Sequence, residues 1–175
     1  LGAKMVPFAG YDMPVQYAAG ILAEHIHTRA HAGLFDVSHM GQIRLSGPQA
    51  AQDLETLVPG DITGLAIGDM RYTLFTGNDG GILDDLMVTK VDDGLLLVVN
   101  AACKHADFAH LKKSLPSTSA VEMLDDRALL ALQGPEALTV LAKLAPEVSG
   151  LTFMKATEIE VAGIACFVSR SGYTG

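Results

Sequence analysis

The chain has 175 residues, of which 49% are hydrophobic and 18% charged, with a formal net charge of −8 at pH 7. That length suits one large domain or two small interleaved ones around a real core, and the composition is that of a folded, turn-rich chain. The acidic balance argues against a nucleic-acid partner, and no apolar run approaches the roughly 20 residues of a helical membrane span. No signal peptide is recognised, so neither a membrane nor a nucleic acid is expected as a partner. Cys103 and Cys166 lie far apart and fit no metal spacing; they read as reduced packing thiols, which points to a reducing compartment. The chain starts at Leu1 without Met and stops at Gly175 directly after a glycine-rich turn, so it reads as cut at both ends.

Lys4 to Phe8 reads as a strand, broken by the turn chemistry of Gly10-Tyr11-Asp12-Met13-Pro14. Ile21 to His31 reads as a helix, with Gly33 as a natural C′ residue. His27 and His31 are four apart and could face one metal, but no HExxH pattern or further ligand accompanies them, and no metal site is assigned. Asp36, Ser38 and His39 have the residue types of a nucleophilic triad. Neighbouring strand residues point apart, however, and a triad needs Ser and His side by side. Gln42 to Leu45 is a short strand. Gly47-Pro48 then opens a helix to about Val58, with Pro at its first position and Ala51, Leu54, Leu57 and Val58 facing a core.

From Arg71 the pattern turns to β. Arg71 to Thr76 and Ile82 to Val91 flank a glycine-dense turn, and Asn78 to Gly81 can supply the positive φ a tight hairpin needs. Ile82, Leu83, Leu86, Met87 and Val88 read as largely buried, interrupted by Asp84 and Asp85. Side chains alternate along a strand, so the two carboxylates are expected in different environments, one solvated and one pointing into whatever the sheet covers. A carboxylate there is costly unless it caps a turn, pairs with a cation or meets a ligand donor. The residues alone leave open whether the pair merely finishes the turn. Asp92-Asp93-Gly94 turns the chain again into Leu95 to Val99, an entirely apolar strand and hence a central one. Asn100 ends it, placed either to cap a helix from Ala101 to Leu115 or to bond a ligand. After a polar linker come strands at Val121 to Leu124 and Ala128 to Gln133. A helix follows from Gly134-Pro135-Glu136 to Leu144, then a hairpin of Thr157 to Val161 and Ile164 to Ser169. The expected class is α+β, with antiparallel or mixed sheets and flanking helices.

Five segments in chain order carry a resemblance: Lys4-Met5-Val6-Pro7-Phe8-Ala9-Gly10; Phe35-Asp36-Val37-Ser38-His39-Met40-Gly41; Gly80-Gly81-Ile82-Leu83-Asp84-Asp85-Leu86; Leu130-Ala131-Leu132-Gln133-Gly134-Pro135; and Arg170-Ser171-Gly172-Tyr173-Thr174-Gly175. Together they resemble the glycine cleavage system T-protein family, the aminomethyltransferases, and look like an N-terminal portion of one. The resemblance implies transfer of the methylene of an aminomethyl-lipoyl group, carried by H-protein, to the co-substrate tetrahydrofolate with release of ammonia. It maps the essential carboxylate to Asp85, with Asp84 as its turn or supporting partner. Met40, Tyr72, Val99 and Asn100 match positions lining the folate pocket, Asn100 against the pterin edge. The family's pterin-binding glutamate would follow directly after Gly175, so the piece alone is expected to be inactive.

The implied architecture is a discontinuous α+β domain holding 1–50 and 146–175 and left incomplete. A sheet-and-helix domain is inserted over 51–145, and a C-terminal barrel is absent. The expected compartment is the cytoplasm in a bacterium or the mitochondrial matrix in a eukaryote. Alternatives are the folate domain of a dimethylglycine or sarcosine dehydrogenase-like protein, an iron–sulfur assembly relative, and a non-enzymatic folate-binding module. Arg170-Ser171-Gly172-Tyr173 lacks the cysteine of the iron–sulfur relative and disfavours it.

Overall fold

The computed structural model describes residues 1–172, so Tyr173, Thr174 and Gly175 of the closing motif lie outside the described residues. In chain order the elements are β1 (Lys4–Phe8), β2 (Tyr11–Gln16), α1 (Ile21–Ala30), β3 (Gly33–Asp36), β4 (Gly41–Ser46), α2 (Ala50–Glu55), β5 (Met70–Thr76), β6 (Ile82–Val91), β7 (Gly94–Val99), α3 (Lys104–Ser114), β8 (Ala120–Met123), β9 (Leu130–Gln133), α4 (Ala137–Leu141), a 3₁₀ turn (Pro146–Gly150), β10 (Lys155–Val161) and β11 (Ile164–Arg170). The class is α+β, as expected.

The chain divides into two compact units. The first comprises Leu1–His39, Ala128–Gly150 and Ile159–Cys166. In it β1 pairs with β2, and β3 pairs antiparallel with β9. The predicted break at residues 10–14 is only the Ala9-Gly10 turn; Pro14 sits inside β2, opposite Met5, where a two-stranded ribbon leaves an edge that tolerates proline. Gly33 is not a C′ residue either. It opens β3, and a side chain there would strike the Thr28 hydroxyl and the Phe35 ring. The triad residues do not form a nucleophile. Ser38 Oγ accepts from Leu129 N at 3.0 Å and donates to Leu129 O at 3.4 Å, tying the exit of β3 to the approach of β9. Asp36 instead accepts from Ser38 N at 3.0 Å, and its hydrogen bonds with Ser38 hold its carboxyl below the ordinary range. The His27 and His31 rings lie 5.1 Å apart, and His31 Nδ1 is 3.3 Å from Glu136. Among the described residues of this unit only Ala145 and Val148 are buried apolar side chains, while Phe8, Leu22, Ile26 and Leu34 are exposed.

The second unit, Met40–Arg127, Leu151–Glu158 and the described residues 167–172, contains the main core. Its antiparallel sheet has the order β5-β6-β7-β4-β8, so the apolar β7 is central as its sequence requires. One face is packed by α2 and α3 around Ile43, Leu54, Phe75, Leu86, Leu97 and Leu111, all fully buried. The other carries a smaller cluster of Met70, Met87 and Ala156. Leu86, Met87 and Val88 are buried as expected, but Ile82 and Leu83 are 66% and 50% exposed. They precede the point where β7 begins to pair at Leu86, so only β5 flanks them. In the turn, Gly80 takes φ 80° and Asp79 Oδ1 accepts from Gly81 N at 3.0 Å.

The helices are shorter than their sequences predict. Pro48 lies before α2, and beyond Glu55 the helix gives way because the Glu55 carboxylate caps the loop, accepting from Ile62 N and Thr63 N at 2.7 Å each. The last helix spans only Ala137–Leu141. α3 starts at Lys104, after a turn in which Cys103 N bonds Asn100 O at 3.0 Å. Asn100 therefore does not cap it; its side chain is engaged elsewhere.

Candidate functional site

Antiparallel pairing decides which side chains share a face. Leu74 pairs with Asp85 and Phe75 with Asp84 across β5–β6, and Leu86 pairs with Val99 across β6–β7. Asp85 and Tyr72 consequently lie on the face of the small methionine cluster, while Asp84 and Val99 lie on the helix-covered face. Burial agrees: Asp84 is 8% exposed and Val99 fully buried, whereas Asp85 is half-buried and Tyr72 is 51% exposed. The predicted separation of the two carboxylates is what the strand delivers.

The separation is incomplete, because β7 ends beside them. Asn100 Nδ2 donates to Asp84 Oδ1 at 2.9 Å and to Asp85 Oδ1 at 2.7 Å, with the Asp85 carbonyl at 3.2 Å. Its backbone N–H donates to Asp84 Oδ2 at 3.2 Å. A single asparagine thus spans both carboxylates from the end of the central strand. The Tyr72 hydroxyl completes the exposed side with a hydrogen bond to Asp85. Partial desolvation, the charge of Asp85 and that bond push the Tyr72 phenol up. Met40 stands half-buried one residue before Gly41, which pairs with Val99. Asp85, Asn100 and Tyr72 are therefore brought together. Val99 contributes its side chain to the core instead, and Met40 borders the strand end.

On the covered side the arrangement continues into α3. Asp107 is 4% exposed, and its carboxyl hydrogen-bonds that of Asp84; burial, that bond and the Asp84 charge push Asp107 up to about 7. The Cys103 thiol is raised too, first by burial and then by the charges of Asp84 and Asp107. Neither residue stands out in the sequence as part of the site. The one available signal is spacing: Lys104, Asp107 and Leu111 fall on one helical face, and all three are buried. Gly41 lets this helix approach, since a Cβ there would sit 2.6 Å from Lys104 Cβ and Val99 Cγ2.

Chemically, the exposed side offers a half-buried carboxylate held by an amide and a phenol, able to accept a proton or to face a developing cation. Among the described residues no group of three or more His, Cys, Asp or Glu could hold a metal ion, and no helix is long and apolar enough to cross a membrane.

Known proteins share this arrangement of elements. The chain is 42% identical to the mitochondrial aminomethyltransferase of Dictyostelium discoideum, covering 100% of this chain and 46% of that protein. It is 43% identical to the mitochondrial aminomethyltransferase of Pisum sativum, covering 99% of this chain and 45% of that one. The chain thus spans about half the length of these relatives. The crystal structure of glycine cleavage system aminomethyltransferase T from Bartonella henselae superposes with a TM-score of 0.89 at 45% identity, over 99% of this chain and 47% of that one. Heterotetrameric sarcosine oxidase from Corynebacterium sp. U-96 shares the fold at a TM-score of 0.58 and 20% identity, over 83% of this chain and 75% of that one. A family model described as the GCVT N-terminal domain matches residues 1–175, and the chain belongs to that family.

Proposed function

We propose that this chain is the N-terminal part of an aminomethyltransferase of the glycine cleavage system. In this reading the methylene of an aminomethyl-lipoyl group on H-protein passes to tetrahydrofolate and ammonia leaves. The observation that carries the reading is the Asp85 carboxylate, half-buried and held by Asn100 and Tyr72, in a chain with relatives at 42–43% identity named aminomethyltransferase. The donor set suits a reduced pterin. Asp85 can accept an N–H of the folate amine, the exposed Tyr72 ring offers a flat apolar surface, and Met40 a polarisable edge. Tetrahydrofolate supplies the nucleophilic nitrogens that take up the carbon.

Asp85 works as a fixed anion. It orients the accepting amine, receives or passes its proton, and stabilises positive charge that develops nearby. Asn100 supports this by keeping the carboxylate from rotating away; its amide hydrogens are already used by Asp84 and Asp85, so any contact with the pterin falls to its carbonyl oxygen. Val99 shapes the site through backbone position, because its side chain is in the core. By the same reading the lipoylated H-protein is the partner.

The test is a pair of isosteric replacements in the whole protein. Asp85→Asn should retain folding and folate binding but slow aminomethyl transfer by a factor on the order of 10² or more, as expected for a positioned acid–base group. Asp84→Asn should act mainly on stability, with much less effect per folded molecule. Small, equal effects at both positions would reduce the pair to turn chemistry.

A further inference from the structure

Asp84 and Asp107 put two hydrogen-bonded carboxyl groups inside the helix-covered face, 8% and 4% exposed respectively. Two ionised carboxylates at hydrogen-bond distance repel, and neither is sufficiently hydrated here to relieve it. The lone pairs decide which one is ionised. An ionised carboxylate has about four acceptor sites. Asp84 uses them on Asn100 N, Asn100 Nδ2, the Cys103 thiol and Asp107. Asp107 is less well supplied: it bonds Asp84, and its Oδ2 is buried without a hydrogen-bond donor. An ionised Asp107 would leave an unsolvated, unpartnered anionic oxygen beside another anion. A neutral Asp107 leaves only a carbonyl oxygen unpaired and gives Asp84 one more donor.

We propose that Asp84 and Asp107 share one proton, and that Asp107 is through this pair a positioning residue for Asp85, clamping the Asn100 amide between the two faces of β6. The shared proton keeps the pair at a single negative charge. While it is present, Asp84 holds both N–H groups of Asn100, and the same amide nitrogen steadies Asp85. When it is lost, two buried charges face each other and Asp84 is driven away from α3, loosening Asn100 and then Asp85. The titratable groups around the pair are Asp85 on β6, Tyr72 on β5, Cys103 in the turn before α3, and Lys104 and His110 on α3, the His110 ring lying edge-on to Phe75, the cross-strand partner of Asp84. Arg44 of the neighbouring β4 is engaged by Asp93. The raised Asp107 carboxyl is consistent with the pair holding its proton into the neutral range.

The protonation state can be read directly. Infrared difference spectra of the whole protein between about pH 5.5 and about pH 9 should show one carboxylic-acid C=O band that persists well above the ordinary carboxyl range and is lost through neutrality. Asp107→Asn should remove it, and Asp84→Asn should shift its loss to lower pH by removing the like charge. A wild-type protein without the band, or a band that survives in Asp107→Asn, overturns the shared proton.

The positioning half rests on the function proposed above and is read from the pH profile of aminomethyl transfer. The wild type should lose rate on the alkaline side of neutrality. Asp107→Asn, which can still donate to Asp84 but cannot ionise, should lose that limb. Asp107→Leu, which cannot donate, should be slowed about tenfold or more at every pH, the scale of misplaced acid–base groups. An alkaline limb unchanged in Asp107→Asn overturns the positioning role. Asp85→Asn in the same assay separates the two ideas. Undiminished transfer there would sink the assignment of Asp85, while the infrared result would still decide the proton.

Discussion

Replacing Asn100 by alanine isolates the bridge between the two carboxylates. The amide nitrogen has three acceptors within reach, at 2.7, 2.9 and 3.2 Å, but only two hydrogens, so two full charge-assisted bonds are lost. Such bonds contribute about 1.5–3 kcal/mol each. Asp85 is half-buried and can recover water, so its share falls to the low end or below. Asp84 is 8% exposed and cannot; it keeps the backbone N–H of residue 100 at 3.2 Å but loses the shorter bond. The expected loss is about 3 kcal/mol, a large part of the roughly 5–15 kcal/mol that holds a typical domain together. Denaturant unfolding should show a lower midpoint with little change in slope, the mark of lost stability rather than an altered unfolded state. Asn100→Asp should do worse at neutral pH, because it places a third carboxylate against two others. A loss below about 1 kcal/mol for Asn100→Ala, the size of an ordinary exposed hydrogen bond, would refute the claim that this amide compensates a buried charge.

Gly94→Ala should destabilise by about 3 kcal/mol or more, since residue 94 adopts φ 150° and a methyl group would run into the Leu45 carbonyl of the neighbouring strand. Thermal unfolding within experimental error of wild type would contradict that steric reading. Stability should also depend on pH through Asp107. Its carboxyl is raised from an ordinary 3.8 to about 7, so in that window the folded chain holds a proton that the unfolded chain has released. Stability from this group is therefore full below about pH 4, declines as pH rises to about 7 and is level beyond, with a total of order 4 kcal/mol at most. Asp107→Asn should flatten that slope in unfolding curves taken across the range, and an identical slope in both proteins would count against it.

The sheet was largely legible because its signals are local. The glycine-dense turn, the Asp92-Asp93-Gly94 reversal and the unbroken apolar run of β7 each identify a strand boundary or a central position without reference to distant residues. The opposed environments of Asp84 and Asp85 follow from the pleat alone. What hydrophobic periodicity could not supply was the outcome of competition for polar groups. Asn100 is equally suited to capping a helix and to bonding a ligand, and two carboxylates brought beside it by β6 took its amide instead. Helix ends failed for the same reason: the Glu55 carboxylate ends α2 by capturing N–H groups seven and eight residues on. Asp107 was out of reach because its partner lies on a strand more than twenty positions earlier, and nothing local marks a helical aspartate as buried.

The Asn100 bridge also bears on how the strands find their alignment. β6 and β7 are apolar along most of their shared length, and runs of Leu and Val have little preference among neighbouring offsets. At one end the reversal at Gly94 sets the pairing; at the other, the two aspartates and Asn100 meet only when Leu86 faces Val99. A slip of one residue would carry the amide away from both carboxylates and strand Asp84 among hydrocarbon. The polar cluster is thus a checksum on the sheet, penalising misaligned pairing at the position where the chemistry is wanted. Changes at Asp84 and Asn100 will disturb folding yield as well as chemistry, so activity measured per total protein overstates their chemical role, and only activity per correctly paired molecule separates the two.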